Sequence, residues 1–167
     1  MKKLRFSLLS LAVAAALLLP ALPARAEGLE LTAPSAVLME ASTGRVLFEK
    51  DPHALRSCAS ITKVMTLCLV FEAIDSGRLS LDQTLTASAH AASMGGSDIW
   101  LEEGEAMSVD DLIKATVIMS ANDAAVVLAE AVSGSEEAFV AQMNEKAQQL
   151  GMNDTVFKNC NGLDEEG

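Results

Sequence analysis

Ser60-Ile61-Thr62-Lys63 sets a hydroxyl and an amine three residues apart at the head of an apolar run. On a helix such residues share a face, with Cβ atoms about 5–6 Å apart, so the lysine amine can reach back to the serine oxygen. A neutral amine there would take the hydroxyl proton as the oxygen attacks an acyl carbon. Ordinary Ser and Lys usage makes one Ser-x-x-Lys expected in a chain of this size, so the tetrapeptide alone is weak evidence. A second group, Ser120-Ala121-Asn122 followed by Asp123, interrupts a run otherwise made of Val, Ile, Met, Ala and Leu. Polar side chains in such a run either find hydrogen-bond partners, as a cap or kink in a core helix, or line a cavity.

The elements that must position these residues follow from periodicity and punctuation. Ser35 to Glu40 and Arg45 to Glu49 read as two strands around a Gly-containing turn. The run from Ile61 to Ile74 is apolar nearly all round, which predicts a helix buried on most sides and ended by Ser76-Gly77. Between Leu79 and Glu105 the pattern is weak, as in a loop-rich excursion with short helical pieces. Ser108-Val109-Asp110-Asp111 resembles a capping box and opens a second, largely buried helix to Val132. Ser135 to Leu150 carries Phe139, Met143, Ala147 and Leu150 on one stripe, with Glu136, Lys146 and Gln149 off it, an amphipathic helix. Asn161-Gly162 reads as a tight turn.

Residues 1–26 have the pattern of a secretory signal: a basic head at Lys2, Lys3 and Arg5, an apolar core, and Ala24-Arg25-Ala26 before Glu27. An exported, extracytoplasmic protein of the cell envelope or periplasm is expected. Cleavage would remove four of the 12 basic residues and none of the 23 acidic ones, leaving eight against 23, a formal charge of −15. That sign repels phosphate backbones, and nucleic acid is excluded as a partner. Cys58, Cys68 and Cys160 form no Cys-x-x-Cys, and His53 and His90 are isolated, so no metal site or cofactor is expected. After export, one disulfide and one free thiol could form, with Cys68 in the apolar helix as the buried, inert member.

Ser60-x-x-Lys63 at a helix start, about 60 residues before Ser120-x-Asn122, matches the first two motifs of the penicillin-recognising serine acyl enzymes. The third motif of that group, Lys-Thr-Gly, does not occur in this sequence. Beyond the motifs, the hairpin around Ala36 to Leu47, the segments Ala59 to Thr66 and Ser108 to Ala124, and Phe157 to Leu163 resemble the amino-terminal part of serine-type D-alanyl-D-alanine carboxypeptidases, the low-molecular-mass penicillin-binding proteins.

The resemblance implies an α/β (α+β) fold of β-lactamase/transpeptidase type, with residues 27–167 a partial catalytic domain. The Lys-Thr-Gly strand, the later sheet strands and the carboxy-terminal domain would lie outside it. It also implies removal of the terminal D-Ala from peptidoglycan stem peptides, inhibition by β-lactams, and membrane association only through a carboxy-terminal region. By position Ser60 would be the acylated nucleophile, Lys63 its general base, Ser120 a proton relay, and Asn122 a holder of the substrate amide. In related folds the segment matching Asn159 to Leu163 passes beside the active site, which suggests a disulfide between Cys58 and Cys160. Two alternatives remain. One is a β-lactamase, which wants an added carboxylate in a loop after Asn122, where Asp164-Glu165-Glu166 offers only unanchored acids. The other is a non-catalytic secreted remnant.

Overall fold

The computed structural model describes residues 30–164, in two units that meet between Pro52 and His53. The signal-type segment, with its cleavage site, and residues 165–167 lie outside the described residues.

The first unit is the expected hairpin. Strand β1 (Ala36–Met39) pairs antiparallel with β2 (Val46–Lys50), Ala36 opposite Lys50, and the register shifts between Leu38 and Met39. Gly44 closes the turn at φ +72°, donating to the Glu40 carbonyl at 2.9 Å. The Lys50 amine ties down the preceding segment through the carbonyls of Leu31 and Ala33, each at 2.8 Å. Val37, Leu38, Met39, Val46 and Leu47 are all exposed, so this ribbon buries little of its apolar surface.

The second unit is helical. A single 3₁₀ turn (Ala59–Ile61) leads into α1 (Thr62–Asp75); then come β3 (Thr84–Thr86), α2 (Ala89–Ala92), β4 (Ala106–Ser108), α3 (Val109–Lys114), α4 (Asn122–Ser133) and α5 (Glu136–Gln149). Strands β3 and β4 pair antiparallel, Leu85 opposite Met107. That small ladder lies where the sequence suggested loops and helical pieces; three-residue strands are too short to show a period.

The caps behave as their sequences indicate. Ser108 accepts from the Asp111 amide and Ser135 from the Ala138 amide, each satisfying one orphan donor of a first turn. Helix α4 supplies the centre of the core, burying every residue from Asn122 to Ala129. Leu69, Val70 and Ala73 of α1, Leu112 of α3, and Phe139 and Met143 of α5 pack in the same core.

Three expectations change. The stretch from Ser108 to Val132 is two helices: a π-helical turn over Ala115–Met119 ends in Ser120 at φ +57°, and extended Ala121 starts the chain afresh. The reason is local, because Ser120 in a left-handed conformation cannot continue a right-handed helix. Helix α1 and the turn before it are less enclosed than their composition suggests, since Ile61 (71%) in the turn and Val64 (69%) and Phe71 (47%) in the helix stay exposed. Leu150 leaves the buried stripe of α5, as it caps that helix and is 60% exposed.

Replacing Phe139, which is fully buried, with Ala should lower stability by about 3–5 kcal/mol through lost transfer energy and the cavity left behind. Leu150→Ala at the exposed cap should change it by less than about 0.5 kcal/mol. Urea unfolding of both variants tests the assignment of the core, and equal losses would contradict it.

Candidate active site

Three separate stretches converge on one amine. Lys63, in the first turn of α1, is 3% exposed. Its Nζ lies 3.2 Å from Ser60 Oγ, 3.4 Å from Ser120 Oγ, 2.6 Å from Asn122 Oδ1 and 2.8 Å from the Asn161 carbonyl. The two short contacts go to oxygens that can only accept. The two longer ones go to hydroxyls, which can donate as well. A neutral amine has two N–H groups and one lone pair, so it satisfies this set by donating to Asn122 and Asn161 and accepting from a serine hydroxyl.

The electrostatics favour that state. Burial, the largest influence, pushes Lys63 below the ordinary lysine range. A charge on the nearby Cys160 thiol would oppose this. That thiol is itself held neutral, because burial and the Glu136 carboxylate push it well above the ordinary cysteine range. None of the amine's hydrogen-bond partners among the described residues is a carboxylate.

Local backbone places each group. Ala59, at φ +46°, turns the chain just before Ser60, which stays exposed at the head of α1. The positive end of the helix dipole there favours a serine oxygen that becomes anionic. Ser120 owes its position to the left-handed break after the π-helical turn. Side chains at such φ cost about 1–3 kcal/mol each and persist only where the surroundings over-determine them.

Asn122, 3% exposed, is used at both ends: Oδ1 accepts from Lys63 Nζ, and Nδ2 donates to the Gly95 carbonyl at 2.6 Å. Its amide therefore holds the lysine and the 95–101 loop, which differs from the direct substrate contact that the resemblance implies.

The turn at 159–163 is held from within. Asn159 Oδ1 accepts from the Gly162 amide at 2.7 Å, and Asn161 Oδ1 from the Leu163 amide at 2.9 Å. Thr66 of α1 donates to the Cys160 carbonyl at 2.5 Å. Gly162 sits against the turn that carries Ser60 so closely that a Cβ would lie 1.9 Å from the Ala59 oxygen. Sequence reading found Asn161-Gly162 as a turn. The Asn161 carbonyl escaped it, because a backbone acceptor carries no residue-type signal.

The Cys58–Cys160 bridge is not formed. All three cysteines are free: Cys58 is exposed, with its Sγ 3.7 Å from the Arg56 carbonyl, Cys68 is partly buried, and Cys160 is buried. The Cys160 thiol instead hydrogen-bonds to Glu136, whose carboxylate also accepts the Cys160 amide at 3.0 Å. Burial works against a charge on Glu136, yet the Cys160 amide, the His90 ring and that thiol together hold its carboxyl below the usual range. Among the acids wanted for a β-lactamase, Asp164 accepts from Ser57 Oγ at 2.8 Å, and Glu165 and Glu166 lie outside the described residues.

Known proteins resemble this chain over most of its length. A family model described as D-alanyl-D-alanine carboxypeptidase matches residues 22–167. The D-alanyl-D-alanine carboxypeptidase DacF of Bacillus subtilis (strain 168) is 51% identical over 135 residues, covering 81% of this chain and 35% of that protein. The crystal structure of the D-alanyl-D-alanine carboxypeptidase DacD from Francisella tularensis aligns with a TM-score of 0.83 at 38% identity, covering 92% of this chain and 37% of that one. Penicillin-binding protein D2 from Listeria monocytogenes, in its ampicillin-bound form, aligns with a TM-score of 0.73 at 33% identity, covering 84% and 56%.

The fold is that of the penicillin-binding, transpeptidase-type carboxypeptidases, in its helical part. The chain belongs to the D-alanyl-D-alanine carboxypeptidase family. It spans 35–37% of the length of the first curated relatives it matches.

Gly162→Ala should disturb the site without touching a side chain in it. The added Cβ clashes with Ala59 backbone, and the φ of +84° disfavours any L side chain. A shifted Ser60 turn and lower thermal stability are expected, measured by the Ser60 amide chemical shift and by melting. A variant with native shift and melting would show that the close approach is dispensable.

Proposed function

We propose that this chain carries the nucleophile and base of a serine-type D-Ala-D-Ala carboxypeptidase, which removes the terminal D-Ala of peptidoglycan stem peptides in the cell envelope. One observation carries the reading: a buried amine of lowered basicity stands within reach of an exposed serine hydroxyl at a helix start. Neutral Lys63 takes the Ser60 proton as Oγ bonds to the carbonyl carbon of the penultimate D-Ala. The carbonyl electron pair moves onto oxygen, and the Ser60 amide at the head of α1 can serve as one oxyanion donor.

Collapse breaks the C–N bond. Ser120 passes the proton held by Lys63 to the departing D-Ala nitrogen, and water then hydrolyses the ester on Ser60. A β-lactam enters the same way, its ring amide replacing the peptide bond. The family's Lys-Thr-Gly strand, which this sequence does not contain, would supply the second oxyanion N–H and bind the substrate carboxylate. Export through the signal-type residues 1–26 belongs to the same proposal.

The test is mass spectrometry of penicillin-treated protein, comparing this chain with a version extended through a Lys-Thr-Gly strand. The extended form should acylate at Ser60, and Ser60→Ala should abolish it. Lys63→Ala should slow acylation by about 10²–10⁴, the usual worth of a general base. The acylation rate should rise with pH through a midpoint below the ordinary lysine value, since only the neutral amine accepts the proton. The short chain should label about 10²–10³ more slowly, for want of an oxyanion donor. Absence of label at Ser60 in both forms would end the assignment.

A further inference from the structure

Asp123 follows the Ser120-Ala121-Asn122 group, is 2% exposed, and touches none of the reacting atoms. Its carboxylate is used on backbone. Oδ2 accepts from the Ile99 amide at 3.1 Å and the Leu101 amide at 3.0 Å, and Oδ1 from the Ala124 amide at 2.8 Å. No ion pair among the described residues includes it. A buried carboxylate without a cation is costly unless N–H dipoles replace its hydration, and three amides do so here.

Two amides one residue apart can converge on one oxygen only if the residue between them curls the chain. That residue is Trp100, at φ +57° and 82% exposed. A bulky side chain at such φ is an outlier that needs an external hold. The carboxylate provides one from both sides, in the manner of a backbone anion nest. What it fixes is the loop that holds Asn122. The Ser97 carbonyl accepts the Asn122 amide at 2.7 Å, and the Gly95 carbonyl accepts Asn122 Nδ2 at 2.6 Å. Asn122 Oδ1 in turn makes the shortest contact to Lys63. Gly96 leaves no slack, since a Cβ there would sit 3.0 Å from Asn122 Nδ2.

We infer that Asp123 is a positioning residue for the Lys63 amine, acting through the 95–101 loop and Asn122. Its functional meaning rests on Lys63 being the base of Ser60. The position one beyond the Ser-x-Asn group then also serves the site: without the carboxylate the loop loses the hold on its two amides, Asn122 loses fixed carbonyls, and water gains access to the amine. The titratable groups around that amine are few. Cys160 is near it, Glu136 reaches it only through Cys160, and Asp123 only through Asn122 and the loop.

The test uses the chain itself, with Asp123→Asn and Asp123→Ala. Hydrogen exchange at the Ile99 and Leu101 amides reads the loop, near-ultraviolet dichroism reads Trp100, the single tryptophan, and ¹⁵Nζ titration reads Lys63. Asp123→Ala should speed exchange at both amides by about tenfold or more, flatten the Trp100 signal, and move the Lys63 midpoint upward toward an ordinary lysine. Asp123→Asn, which keeps one acceptor oxygen and the volume, should do each to a smaller extent, and it carries the test if the alanine variant does not fold. Faster exchange with an unmoved Lys63 midpoint would confine Asp123 to a structural role and overturn the inference, as would unchanged exchange in the Asn variant. None of these readouts needs acylation. A wild-type chain that fails to label at Ser60 counts against the function, and an unmoved titration counts against Asp123.

Discussion

Everything in the helical unit is arranged around the burial of one amine. An ammonium removed from water would need a carboxylate, and a carboxylate there would hold the proton on nitrogen. The structure surrounds Lys63 with neutral oxygens instead. Two carbonyls fix its N–H directions, and two hydroxyls face what remains. The chain is strongly acidic, with a formal charge of −11, yet the buried Asp123 and the partly buried Glu136 in the neighbouring shell are turned to other partners. Asp123 is occupied by backbone amides, and Glu136 by Cys160 and His90. Their charge is consumed locally.

Strain is concentrated where this arrangement demands it. Of the four non-glycine residues at positive φ among the described residues, Ala59 precedes Ser60, Ser120 faces the Lys63 amine, and Trp100 sits between the two amides held by Asp123. Each would relax if its neighbours allowed. The π-helical turn before Ser120 is of the same kind, since such turns are rare and gather at functional sites. The large core under α4 is what makes these local costs tolerable.

Much of this was legible in sequence, and the reasons divide cleanly. Ser60 and Lys63 were readable because both residue type and spacing carry the chemistry. The caps at Ser108 and Ser135 were readable because capping depends on one side chain and its own helix. The hairpin was readable from its turn. The break at Ser120 was not, because neither Ser120 nor Ala121 is a glycine or proline that would signal a left-handed turn. The Asn161 carbonyl and the Asp123 clamp were hidden for a different reason: both act through main-chain atoms, which every residue shares. Asn122 lies against Lys63, and the lysine and the 95–101 loop hold its amide, contacts that its motif does not encode. The cysteines misled, because proximity to the site says nothing about which way a thiol faces, and Cys160 faces Glu136.

The contacts that make Lys63 unusual reach far along the chain, 59 residues to Asn122 and 98 to the Asn161 carbonyl. Such pairings close late, after the intervening elements have docked. A ribosome-bound or partly folded chain therefore carries an ordinary, solvated lysine beside an ordinary serine. The lowered basicity of Lys63 is therefore a property of the finished fold. It appears only when the turn at 159–163 closes onto the first turns of α1.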